Sequence, residues 1–122
     1  VAPIPILIGG HSELALDRAA RLGDGWIAAS MSPERFVEHR DRLFARCEAH
    51  DRDPEELMLV NSTRLSGPHT DLEGARAEEL AGRLRRFAEL GVDHLQVTFD
   101  QPDRAAAIAT LHALGRDVLP AI

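Results

Sequence analysis

Gly9, Gly10, His11 and Ser12 follow the apolar run Ile6-Leu7-Ile8 and precede Ala15, Ala19, Ala20 and Leu22 at helical spacing. Residues of these types in this order make a strand, a tight turn and a helix start. The two glycines let backbone approach a ligand with no Cβ in the way. Ser12 is placed to cap a helix whose first N–H groups carry partial positive charge. The chemistry on offer is anion binding, with phosphate the natural guest. On spacing alone, such a pair turns the chain as readily as it binds a ligand.

Ligands of parallel α/β proteins bind at the carboxyl ends of the strands. That rim is expected at Gly9 to Ser12, Ala29-Ser30-Met31, Ser66-Gly67-Pro68-His69 and Phe99-Asp100-Gln101. Arg64 sits near the rim end of a strand, where a charge is unexpected unless it meets an anion or a carboxylate. With Asp100 it is a candidate for substrate contact. His11 is able to donate to phosphate, although a histidine at a helix start is more often solvated. His94, inside a strand, is expected to be packed or hydrogen-bonded, and His39, His50 and His112 to lie on helix surfaces. Asp24 is expected to fix a turn, and Trp26 to anchor a core or interface. No cluster has metal-ligand spacing and no Ser-His-Asp set can be assembled, so no metal is expected and no catalytic residue is identified.

The elements that must position these groups alternate. Strands are expected at Ile4 to Ile8, Asp24 to Ser30, Leu57 to Ser66 and Val92 to Phe99. Helices fall at Glu13 to Leu22, from Ser32-Pro33 through Cys47, at Leu72 to Leu90, and after Asp103. In the third strand Leu57, Leu59, Asn61, Thr63 and Leu65 share one side, and Met58, Val60, Ser62 and Arg64 the other. The third helix should bury Ala77, Leu80, Leu84, Phe87 and Ala88, and the last Ile108, Leu111, Leu114 and Val118. Strands joined by single crossover helices give a parallel sheet. The class is therefore α/β, four βα units in one domain over residues 1–122.

Pro3-Ile4-Pro5-Ile6-Leu7-Ile8-Gly9-Gly10-His11-Ser12, then Arg18-Ala19-Ala20-Arg21-Leu22-Gly23-Asp24-Gly25-Trp26-Ile27, resembles the luciferase-like monooxygenase family, especially its deazaflavin-dependent branch. The likeness continues through Arg52-Asp53-Pro54, Leu90-Gly91-Val92-Asp93-His94-Leu95 and Val118-Leu119-Pro120. It implies the C-terminal half of a (β/α)8 TIM barrel. It further implies coenzyme F420, or FMN as the alternative, with the cofactor phosphate against Gly9, Gly10, His11 and Ser12. Ala29 and Ser30 fall at a cofactor or substrate edge, where some members carry threonine in place of Ala29. Much of the family's substrate pocket and its proton-transfer groups belong to the other half. The implied function is part of an F420- or FMN-dependent oxidoreductase or monooxygenase; the alternative is a non-catalytic cofactor-binding or structural half-barrel.

The composition agrees with a globular chain: 122 residues, 44% hydrophobic and 28% charged. A net charge of −6 argues against nucleic acid and anionic membrane as partners. No stretch is long enough to span a membrane, no signal peptide is evident, and Cys47 falls on the apolar face of a helix, so a cytoplasmic setting is expected. A half barrel with two bare edges and an apolar inner face is expected to form a homodimer. The flatter alternative, with helices on both faces of an open sheet, stays open at this stage.

Overall fold

The structure is a computed structural model that describes residues 3–65 and 74–122. Four strands, β1 (Leu7–Gly9), β2 (Gly25–Ala29), β3 (Met58–Leu65) and β4 (His94–Phe99), form one sheet in the order β1-β2-β3-β4. Every pair is parallel. The helices between and after them are α1 (Glu13–Leu22), α2 (Pro33–Ala49), α3 (Ala75–Glu89) and α4 (Arg104–Ala113). Expected residues 66, 72 and 73 of the third strand and third helix lie outside the described residues, as does the rim segment Ser66 to His69.

Three of the four helices begin at capping side chains; α3 begins at Ala75 behind Gly74, which offers no side-chain cap, later than the expected Leu72. Ser12 Oγ accepts from the Ala15 N–H, Ser32 Oγ from Arg35 ahead of Pro33, and the Asp103 carboxylate from Ala106. The strands are aligned at their amino ends by two aspartates. Asp24 accepts from the Ile6 N–H at 2.7 Å and donates its own N–H to the Ile6 carbonyl; Asp93 does the same with Leu59. Asp24 thus fixes its turn as expected, and Asp93 repeats the device one crossover later.

Trp26 and Ala28 of β2 and Leu59 of β3 pack with Leu16 and Ala19 of α1, Phe36, Leu43 and Cys47 of α2, and Phe87 of α3. A second cluster joins Leu80 and Leu84 of α3 to Ala113 and Val118, with Leu65 and Leu95 against it. All these strand residues point to one side of the sheet. On the other side Ala29, Arg64, His94, Gln96 and Thr98 are exposed. Sequential strand order with one covered face is an arc of a barrel and excludes the flat sheet covered on both faces.

Four expectations about buried side chains fail. Ile108 and Leu111 are exposed and Leu114 is half-buried, while Thr110, Ala113 and Val118 are buried. The cause is a wide π-helical turn, Leu114–Val118, that rotates the face which α4 presents. Ala88 is also exposed. The concave face is not uniformly apolar: Leu7, Ile27, Met58 and Val60 line its lower part, but Ser62, Arg64, Gln96 and Thr98 line its upper part.

Candidate functional site

The Gly9–Ser12 turn is built by three constraints. Gly10 has φ of +107°, and a Cβ there would lie 2.9 Å from the Ala15 Cβ, so only glycine fits. The indole Nε1 of Trp26 donates to the Gly10 carbonyl at 2.7 Å, tying the turn to the core of β2. Ser12 caps α1 and satisfies one of the N–H groups that a helix start leaves unpaired. Gly9 differs: a Cβ there would meet nothing within 4 Å. The fold requires glycine at 10 and leaves the space over Gly9 empty.

An anion at the turn would meet a carboxylate that is already paired. Glu13, in the first turn of α1, would oppose one, but Arg42 and Arg46 of α2 engage its carboxylate, Arg46 at 2.9 Å. His11 is exposed at the turn, and its ring meets the His39 ring edge-on with centroids 5.8 Å apart. His39 is buried, contrary to the expected surface position, and donates from Nδ1 to the Arg35 carbonyl at 2.8 Å. Its polarity is hidden in the sequence because one backbone carbonyl satisfies it. At the start of α2, the Glu34 carboxyl is held below the usual carboxylate range, chiefly by its own backbone N–H and by the Ser32 hydroxyl.

Of the other rim residues that are described, Met31 is buried in the core and Phe99 falls on the helix side of β4, whereas Ala29 lies on the concave face. Ala29 ends β2, and Ser30 follows with φ of +51°, its N–H shared by the Ser62 carbonyl at 2.9 Å and the Ser62 hydroxyl at 3.2 Å. Ala29, Ser62 and Gln96 are neighbours in register across three strands, and Arg64 stands beside Thr98 one step nearer the rim. Arg64 pairs with Asp100, which answers the sequence argument that its charge must meet an anion or a carboxylate. His94 is exposed on the same face, not packed as expected. Sequence reasoning missed Gln96 and Thr98, yet the alternation in His94-Leu95-Gln96-Val97-Thr98-Phe99 marked them as one face.

Among the described residues no group of three or more His, Cys, Asp or Glu is placed to hold a metal ion, and no helix is long and apolar enough to cross a membrane.

A family model described as luciferase-like monooxygenase matches residues 1–121. The chain belongs to the luciferase-like monooxygenase family. Uncharacterized proteins of Mycobacterium tuberculosis and Mycobacterium bovis are 42% identical over 64 residues, which is 48% of this chain and 20% of each relative. Among solved structures, an F420-dependent secondary alcohol dehydrogenase in complex with an F420–acetone adduct matches with a TM-score of 0.74 at 14% identity, over 98% of this chain and 49% of that one. A coenzyme F420-dependent tetrahydromethanopterin reductase from Methanopyrus kandleri matches with a TM-score of 0.63 at 11% identity, over 96% and 50%. The chain therefore spans about half the length of these solved relatives, consistent with the half-barrel arc.

Proposed function

We propose that this chain is the cofactor-holding half of an F420- or FMN-dependent oxidoreductase, with the cofactor's phosphate seated on Gly9, Gly10, His11 and Ser12. The observation that supports this most is the contrast within the glycine pair: Gly10 is demanded by backbone and packing, whereas Gly9 borders open space that a Cβ would occupy. Such a cradle suits phosphate oxygens approaching the N-terminus of α1. The deazaflavin is favoured over FMN because the Gly23-Asp24-Gly25-Trp26-Ile27 run resembles that branch of the family.

When bound, the cofactor supplies hydride transfer. The residues that would hold and orient it are the Gly9–Ser12 turn, which would take the phosphate and which Trp26 keeps in place, and Ala29 and Ser30 at the cofactor edge. Arg64 and Asp100 stand at the rim, where a small-molecule substrate would enter. Titration of the chain with F420 and with FMN, followed by quenching of their fluorescence, tests the reading. Saturable quenching by either supports it, and none at high micromolar concentration overturns it.

The same reading includes a homodimer that closes the barrel. The exposed large apolar residues Ile4, Ile6, Leu14 and Leu22 lie on the lead-in to β1 and on α1, while Ile108, Leu111, Leu119 and Ile122 lie on α4 and the turns after it. These are the two flanks of the arc, beside the free edges of β1 and β4. A two-fold axis along the barrel would bring each flank of one copy to the opposite flank of the other. A buried, reduced Cys47 agrees with work in the cytoplasm.

A further inference from the structure

Resting on the reading of this chain as a holder of F420 or FMN, we propose that Gln96 recognises the ring of the cofactor, by pairing its carboxamide with the diketo edge that deazaflavins and flavins share. Gln96 is exposed on the concave face of β4, and its carboxamide has no hydrogen-bond partner among the described residues. It lies in register with Ser62 and, one strand further, with Ala29. The row therefore runs from a methyl group through a hydroxyl to an amide.

Barrel interiors are ordinarily filled by branched apolar side chains. The lower part of this face obeys that rule with Leu7, Ile27, Met58 and Val60, and the row at Gln96 breaks it. On the β1–β2 side of the same face the last strand residues are small, Gly9 and Ala29, both exposed, with Leu7 and Ile27 below them on their own strands. A flat ring fits over the small side, with its polar edge turned toward the amide.

The chemistry matches group for group. The pyrimidinedione edge presents a carbonyl, an N–H and a second carbonyl, and a carboxamide offers one acceptor and two donors, so a paired contact is available. Ser62 is committed to the Ser30 N–H through its oxygen, and the Thr98 hydroxyl donates to the Thr63 carbonyl at 3.4 Å. Arg64 is held by Asp100. In this row and the step above it, Gln96 is the residue left with both donor and acceptor uncommitted among the described residues; His94 lies one step lower on β4, in register with Val60 of the apolar part.

The test separates ring from phosphate. FMN, lumiflavin, which carries the ring without the phosphate tail, and inorganic phosphate as a competitor of FMN are each titrated against the unaltered chain, Gln96→Leu and Gln96→Glu. Both variants are expected to bind FMN and lumiflavin about tenfold more weakly, the worth of one or two lost hydrogen bonds, while competition by phosphate is unchanged. Circular dichroism and thermal unfolding check that both variants remain folded, as replacement of an exposed side chain implies. Equal affinity of Gln96→Leu and the unaltered chain for lumiflavin overturns the proposal and leaves the phosphate turn intact. Failure of the unaltered chain to bind lumiflavin overturns it as well. An FMN affinity no better than that for lumiflavin, lowered in both variants, sinks the phosphate reading and sustains the ring contact.

Discussion

The Trp26 indole, fully buried between α1 and α2, donates its N–H to the carbonyl of Gly10 at 2.7 Å. A core anchor and the Gly9–Ser12 turn are therefore one unit. The ring stacks on Phe36, which meets Phe87 edge-on, so the turn is braced by an aromatic column reaching α3. Trp26→Phe keeps most of the apolar contact and removes the hydrogen bond. Its expected cost is about 1–3 kcal/mol from the lost bond and the small cavity, read by urea unfolding. A variant as stable as the parent would show that the bond does not brace the turn.

The two glycines of the turn should respond oppositely to alanine. Gly10→Ala forces a positive φ and a clash with Ala15, and is expected to destabilise by roughly 1–3 kcal/mol. Gly9→Ala meets open space and should leave stability within about 0.5 kcal/mol while weakening FMN binding. Matched thermal melts and FMN titrations of the two variants check this, and unchanged FMN affinity in Gly9→Ala would count against the cradle.

Asn61 is fully buried, with neither its carboxamide oxygen nor its nitrogen hydrogen-bonded among the described residues. It stands on the helix side of β3 between Ala28 and Leu95. Replacing a buried, unsatisfied amide by an apolar group of similar volume removes a desolvation penalty. Asn61→Leu is expected to keep or raise the melting temperature; a fall of several degrees would reveal a partner for the amide.

Asp17 on α1 accepts a 2.7 Å hydrogen bond from His50 Nε2 at the end of α2, and this bond, more than any nearby charge, holds its carboxyl below the usual range. A carboxyl lowered in the folded state stabilises it above the unfolded value of about 3.9 and ceases to do so as pH falls through the folded value. The stability gap between the parent and Asp17→Asn should be full at pH 6 and begin to shrink only as pH falls below about 4, toward the lowered folded value. A gap that does not shrink as the pH is lowered from about 6 to about 2 would assign the effect to packing.

Cys47 is fully buried in the α2 core, and desolvation pushes its thiol above the ordinary range. A disulfide reagent at pH 8 should label it at the rate of unfolding, rising with denaturant. Fast labelling of the native chain would show that α2 opens locally.

Much of this architecture was legible from residue order. The caps at Ser12 and Ser32 and the side assignment in β3 follow from local geometry and period-two patterning. What escaped was decided by tertiary context. His39 looks like a surface residue because its polarity is met by a single carbonyl four residues back, and Ile108 and Leu111 look like core because a π-helical turn cannot be seen in a 3.6-residue period. The site divides the same way. The turn at Gly9 to Ser12 was visible as a motif, whereas the row of Ala29, Ser62 and Gln96 exists only once three strands fix their register.

The central claim, that the first turn holds a cofactor phosphate, is tested most directly by comparing FMN with riboflavin, which differs only in lacking that group. The account predicts that the unaltered chain binds FMN at least about tenfold more tightly, about 1.4 kcal/mol, and that Gly9→Ala erases most of this difference. Equal affinity for the two ligands in the unaltered chain would contradict it.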